Sequence, residues 1–395
     1  MATTITFFPV DNGDMTLLKL GDAEGTTLLI DLNIRKDADD TNSEVYDVAK
    51  DLRDRINKDA KGRPFINALL LSHPDKDHCL GLESHFYLGP IADYPDDAKA
   101  YNDKKIVIRE MWSSPIVFRR ASKNHILCTD AQAFHKEARR RVKLNQDKNF
   151  DVEDGDRIQI MGEDVDGKTD DLGTICRKVN SSFNTICGRT SSYFSAYLLG
   201  PIEAQDDEDK EELLAKNQSS VIINFTLAAD SSTPDGAKFL SGGDAEVYIW
   251  REQWARHKDD IAVLQYDLMQ APHHCSWHSL SDDSWSGKKR EAKVDADARS
   301  ALSQIRSGGI IVASSKPIRD DENDPPCIRA KEEYEDIIKD VSGTFYCTGE
   351  YPKESSVEPL EFTVGKNGLT PPAKKDGGTK AAGIITAART PMPHG

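Results

Sequence analysis

Apolar residues in this chain come in short blocks. Thr4–Val10, Met15–Leu20 and Thr26–Leu32 are β-rich runs separated by turn residues, which predicts a meander. The period then changes: Val45, Val48, Leu52 and Ile56 share one helical face within Ser43–Asn57, and Ser43 stands where a cap would. Phe65–Leu71 is an apolar run of the kind that forms a buried strand. Further strands are predicted at Lys105–Met111, Gly155–Met161 and Ser219–Leu227, with a weaker one at Tyr193–Leu199. Thr129–Leu144 reads as a helix. The C-terminal third alternates helix Asp295–Arg306, strand Gly309–Ser314, helix Ile328–Asp340 and strand Thr344–Cys347. Beyond Lys366 the chain is rich in Pro, Gly, Ala, Lys and Thr without an apolar period, which predicts a flexible tail.

Three of these runs end in residues with metal-binding chemistry. The first leads into Ser72-His73-Pro74-Asp75-Lys76-Asp77-His78. Two imidazoles and two carboxylates within six residues form an N/O donor set suited to Zn²⁺ or Mn²⁺. The second is Phe239-Leu240-Ser241-Gly242-Gly243-Asp244, where glycines permit close backbone approach. Asp244 is read either as a ligand shared by two cations or as a helix cap. The third is Ala271-Pro272-His273-His274-Cys275-Ser276. If the three strands lie side by side, their C-terminal ends converge on one edge.

The order HxDxDH, GGD, PHHxS resembles the metallo-β-lactamase superfamily. It is most similar to the hydrolase domain of the bacterial competence channel for DNA uptake and its free-standing soluble relatives. Val10-Asp11-Asn12-Gly13-Asp14, Leu29-Ile30-Asp31 and Asn217-Gln218-Ser219-Ser220 resemble further segments of that group. Cys275 replaces the glycine of the usual HHGS, and Asp324-Pro325-Pro326 stands where relatives often carry His-Pro. His85, His125 and His135 lie in the interval where a further ligand would be sought, without a motif around any of them. The resemblance implies an α/β (α+β) fold, a four-layer αββα sandwich with two mixed sheets. Residues 1–365 would form one hydrolase domain, with a basic insertion at about 99–148 and a polar one at about 162–216, and 366–395 the tail. It implies two divalent ions, Zn²⁺ or Mn²⁺. His73 and Asp75 would hold one, and Asp77 and His78 the other, with Asp244 bridging. One of His273 and His274 would complete the second site, the choice between them left open. Asp77 and His274 are the residues to which the reading assigns catalysis. The implied activity is a metal-dependent phosphodiesterase or nuclease. Hydrolysis of a small phosphodiester such as a cyclic nucleotide is the alternative, and a regulatory subunit with structural metals is a third reading.

Charge bears on the substrate. The net charge of −16 disfavours nonspecific binding to nucleic acid or anionic membrane. Residues 99–148 run against that balance, with thirteen Lys/Arg against five Asp/Glu. Lys136, Arg139, Arg140, Arg141 and Lys143 lie on the predicted helix. They are either a solvated surface or a flap that guides a polyanion, with Arg139, Arg140 and Arg141 as the contacts to nucleic acid. The seven cysteines are scattered without a CxxC pair, which predicts a reducing, cytoplasmic setting. The N-terminal residues lack a signal-peptide pattern, and no apolar run approaches the roughly 18 residues of a membrane span. A protein partner remains open in this reading.

Overall fold

Residues 1–39, 43–118, 126–164, 167–202 and 219–372 are described by a computed structural model. The larger of its two main sheets collects the N-terminal strands. They are β1 (Thr3–Phe7), β2 (Thr16–Lys19), β3 (Thr27–Ile30), β4 (Pro64–Leu71), β5 (Ile106–Ser113), β6 (Arg157–Met161) and β7 (Cys176–Arg177). The second sheet holds β8 (Ser181–Phe183), β9 (Phe194–Gly200), β10 (Ile222–Leu227), β11 (Ala237–Ser241), β12 (Tyr266–Gln270), β13 (Ile305–Ala313) and β14 (Thr344–Cys347). The chain then returns to the first sheet with β15 (Leu360–Gly365) and β16 (Gly368–Thr370). The first sheet runs β7-β6-β5-β4-β3-β2-β1-β15-β16, and the second follows chain order. Both are mixed: β1–β3 are antiparallel, β3 through β7 parallel, β8–β11 antiparallel and β11 through β14 parallel. This is the mixed α/β class that the resemblance implies.

The uninterrupted apolar runs have a packing reason. In β4, Ala68 and Leu70 join a cluster with Phe225, Phe239 and Leu268 of the second sheet. Their neighbours Ile66, Leu69 and Leu71 join a different cluster with Val48 and Leu52 of helix α1 (Val48–Arg55) and Phe134 and Val142 of a later helix, Thr129–Asp147. From Ala68 to Leu71 alternate side chains thus enter two cores, while the strand's one polar residue, Asn67, accepts the Thr27 N–H at 3.0 Å. Met269 and Ile311 of the second sheet likewise turn away from Leu268 and Ile310, towards Trp250, Leu302 and Tyr334. Those three residues belong to, or directly follow from, the helical segments Val247–His257, Ala296–Leu302 and Ile328–Lys339.

Several expected boundaries move. Helix α1 begins at Val48, and its cap is Asp47, whose side chain accepts the Lys50 N–H at 2.8 Å. Ser43 instead accepts the Val45 N–H in a local turn. Residues 247–257, unassigned in the sequence reading, form a helix. The ordered chain also passes the expected boundary at 365, because β16 folds back on β15 through Gly368, at φ +100°. The rest of the expected tail, from 373, lies outside the described residues, as do His125, Asn217, Gln218 and residues 203–216 of the polar insertion. Among the described residues, no helix is long and apolar enough to cross a membrane.

Candidate metal centre

Strand ends from both sheets supply the site. After β4 the chain turns at Ser72-His73-Pro74 and enters helix α2 (Lys76–Cys79), which buries His78. After β11, Gly242 lies against the indole of Trp250: a Cβ there would meet Cζ2 at 2.7 Å. Gly243 adopts φ +50°, a left-handed conformation that favours glycine. The turn brings Asp244 into the interior, where its N–H donates to Ser220 Oγ at 3.1 Å. Asp244 is not the cap of the following helix; Glu246 occupies that position. After β12, His273, His274 and Cys275 follow Pro272 with φ of 50°, 52° and 68°. Three consecutive side-chain-bearing residues in the left-handed region carry a steric cost. At Cys275 this conformation accounts for the glycine that the resembling pattern has there.

Asp244 lies between the histidines. Its Oδ1 is 3.0 Å from His78 Nε2 and 3.6 Å from His274 Nε2. Its Oδ2 is 3.5 Å from His73 Nε2 and 3.7 Å from His273 Nε2. Asp75 Oδ2 is 3.8 Å from His73 Nε2, and Asp77 Oδ2 is 3.4 Å from His274 Nε2. All seven residues expected as ligands therefore face this one place. The two histidines left as alternatives divide: His274 joins Asp77 and His78, and His273 joins His73. Nε2 of His73, His78 and His274, and Oδ1 of Asp244, are buried without a hydrogen-bond partner. Buried polar atoms are rarely left so. Two donors on one tetrahedral ion with bonds near 2.1 Å sit about 3.4 Å apart. The observed spacings and the orphaned atoms fit a cation. Donor atoms of Asp14, His78, Asp244 and His274, all buried, lie within 4.8 Å of one another, a cluster that could hold a metal ion.

Asp14 and Asp31 were not among the predicted ligands. Asp31, at φ 54° after β3, accepts His78 Nδ1–H at 2.8 Å and also takes the N–H and hydroxyl of Ser72. Asp14 Oδ1 is 3.2 Å from His274 Nδ1. Asp31 holds the far nitrogen of the His78 imidazole, so that its Nε2 turns towards Asp244, while Asp14 faces the far nitrogen of His274 as a charge partner without a hydrogen bond. Such partners fix tautomer and ring orientation in metal sites.

The electrostatics follow from burial and pairing. Burial lowers the His78 imidazole, but the Asp244 and Asp31 carboxylates outweigh it and hold it well above its usual value. His274 is pushed up to about 10, because Asp244 and Asp14 overcome its burial. Burial prevails at His273 and holds it low. Asp77 and Asp244 are held below the usual carboxylate range: the histidines overcome their desolvation. Protons on His78 and His274 thus stand where a cation's charge would. Cation binding must expel them, so affinity rises with pH until about 10, where His274 is deprotonated without help. Titrating the metal-free protein with Mn²⁺ at pH 7, in buffers of differing ionisation heat, should show proton release. A heat independent of buffer would contradict this account.

The basic helix, α3 of the chain once the single turn Leu82–His85 is set aside, is present as Thr129–Asp147, with Arg141 buried, Arg140 half-buried and Arg139 exposed. Arg141 is 1% exposed; it pairs with Glu137 at 2.7 Å and donates to the backbone carbonyls of Ile108 and Arg157. Arg140 forks between Glu137 and Asp156, both at 2.7 Å. Arg139 Nε donates to the Val117 carbonyl at 3.0 Å. Of the three arginines read as contacts to nucleic acid, Arg141 is therefore core and Arg140 has its charge already paired, while Arg139 keeps an exposed position on the helix. The reason is the helix's own periodicity, which turns Glu137 and Arg141 to the same buried face.

A cavity of about 520 Å³ opens beside the Asp11-Asn12 turn, lined also by Lys316, Arg319, Asn323 and Pro325. Asn12 fastens its walls: its amide donates to Pro325 O, and its Oδ1 accepts the Lys316 N–H, both at 3.0 Å. The turn leads directly into Gly13 and Asp14. No protein-family model, curated protein or solved structure matches this chain.

Proposed function

We propose that the chain is a metal-dependent phosphodiester hydrolase with a dinuclear Zn²⁺ or Mn²⁺ centre, on the four-layer αββα sandwich of the metallo-β-lactamase superfamily. One observation carries this reading: the two oxygens of buried Asp244 face separate histidine sets, His78 with His274 and His73 with His273. Asp75 and Asp77 complete the two sets. Paired divalent ions supply Lewis-acid polarisation of a phosphoryl oxygen and activate water near neutral pH. Carboxylate-rich donors keep Mn²⁺ competitive with Zn²⁺.

The chain's own residues supply the rest. The side chains of Asp75 and Asp77 are 49% and 41% exposed, while the other donors are nearly closed off. Substrate therefore meets the site from the Asp75–Asp77 side. Asp77, partly exposed and 3.4 Å from His274, is the proposed group for holding a proton during the reaction, with His274 fixing its position. The cavity beside Asn12 has the size of a small-ligand pocket and is read as the seat of one esterified group. The inward commitment of Arg140 and Arg141 favours a small diester over a long nucleic acid as the substrate. The seven unpaired cysteines agree with a reducing cytoplasm.

The test supplies Mn²⁺ or Zn²⁺ to metal-free protein with DNA, RNA, cyclic nucleotides and a chromogenic phosphodiester. Cation-dependent cleavage of diesters is expected, with Asp77→Asn slower by at least about 100-fold and still folded. Cleavage of polymers alone would restore the nuclease reading. Cations bound without any turnover would overturn the hydrolase and leave a structural centre.

A further inference from the structure

Cys79 follows His78 directly in the chain, and its sulfur lies 3.6 Å from that of Cys128. The two residues are otherwise separated by 49 positions and sit on different elements. Cys79 closes helix α2 and is fully buried; its thiol donates to the Asp75 carbonyl at 3.2 Å. Cys128 is half-buried and caps the helix Thr129–Asp147, where its sulfur accepts the Ala131 N–H at 3.4 Å. Asp130, two residues on, accepts the N–H groups of Gly81 and Glu83 at 3.0 and 2.8 Å. That pair of bonds clamps the first turn of the long helix to the segment just after Cys79. The sulfurs are thus held together by two elements already fastened to each other. The other described interactions give this pair no part in the metal centre.

We propose that Cys79 and Cys128 are a peroxide-responsive dithiol, and that closing it to a disulfide disturbs the loop carrying Asp75, Asp77 and His78. Cys128 is the attacking sulfur, since it is the more accessible and lies at a helix N-terminus, where a thiolate is stabilised. Its thiolate attacks hydrogen peroxide: the O–O bond breaks, an S–O bond forms, and hydroxide leaves. The sulfur of Cys79 then attacks the sulfenic sulfur of Cys128. The S–S bond forms, the S–O bond breaks, and hydroxide departs with the thiol proton as water. Two thiols lose two electrons and two protons in all, and one peroxide becomes two waters. A disulfide near 2.05 Å requires the sulfurs to close by about 1.5 Å. Closure removes the S–H that Cys79 donates to the Asp75 carbonyl, and it draws on the residue next to His78.

The crosslink is independent of the metal reading; its effect on the cation rests on that reading. The full chain is treated with hydrogen peroxide and mapped by mass spectrometry without reductant, and its Mn²⁺ affinity is measured before and after. A peptide joining Cys79 to Cys128 is expected, separable by dithiothreitol and absent in Cys128→Ser, which keeps a competent cap. Mn²⁺ affinity should fall about tenfold on oxidation, the lower end for loss of a supporting contact, and return on reduction. The Cys128→Ser protein should keep its affinity through the same treatment. Oxidation of Cys128 to sulfinic acid with Cys79 left as a thiol would overturn the dithiol. A crosslink with unchanged affinity would overturn the coupling. A reduced chain that binds no Mn²⁺ would instead sink the metal centre, with the crosslink still read by mass.

Discussion

Asp244→Asn should lower Mn²⁺ affinity by at least about 100-fold and abolish hydrolysis in a protein that still folds. Loss of an outer partner alone costs about 10–100-fold in metal sites, and Asp244 faces all four histidines. Asparagine keeps the volume but removes the charge and one acceptor oxygen. His78 and His274 then lose the carboxylate that most favours their protonated forms, and they become neutral rather than remain buried cations. The pH dependence of metal-free stability should change with it. In the parent, the contribution from the raised His274 value is complete below 6.5 and disappears as pH rises through about 10. In the variant that alkaline loss should shrink. Calorimetric titration with Mn²⁺ and urea denaturation across pH measure both effects. Parent-like affinity would remove Asp244 from the centre and with it the proposed dinuclear arrangement.

Arg141→Met should destabilise the fold by about 3–5 kcal/mol, the cost of breaking a buried ion pair from one side. Glu137 keeps Arg140 as a partner, which places the effect towards the lower end. The variant also leaves the carbonyls of Ile108, within β5, and Arg157, at the start of the adjacent β6, without the guanidinium they accept from. Catalysis by the folded fraction should stay within about twofold of the parent, because Arg141 lies away from the metal donors. A shift of the urea midpoint with unchanged slope would fit. A stable variant with weakened nucleic-acid binding would reinstate the arginine as a phosphate contact.

The parts of the centre that share a short segment were legible from sequence. His73, Asp75, Asp77 and His78 announce themselves by spacing after an apolar run, and Gly242-Gly243 marks the close turn before Asp244. Asp14 and Asp31 were not legible as members, because each is a single acid separated from its imidazole by tens to hundreds of residues. Their segments were noticed only as resembling a family's opening turn and strand. Nor does the sequence distinguish His273 from His274: adjacent residues part company through a left-handed backbone that no periodicity encodes. The burial of Arg141 was hidden for a related reason. Charge counts report that cations are present, while the i,i+4 relation of Glu137 and Arg141 decides that one of them is spent in the core. In the same way α1 takes Asp47 rather than Ser43 as its cap, since both are good caps and only packing of Val48 and Leu52 selects where the helix starts.

The donors are divided between two sheets, and this orders events during biosynthesis. The first sheet's His73–His78 segment leaves the ribosome long before Asp244 and the His273-His274 pair. About 200 residues separate His78 from His274, roughly 10–40 s of translation at 5–20 residues per second. Strand β1 waits longer still for its neighbour β15. A nascent chain therefore carries a half-set of donors that cannot close around an ion as the finished protein would. The full donor set is assembled only once the C-terminal third is made, so a truncated or stalled product would lack the complete site.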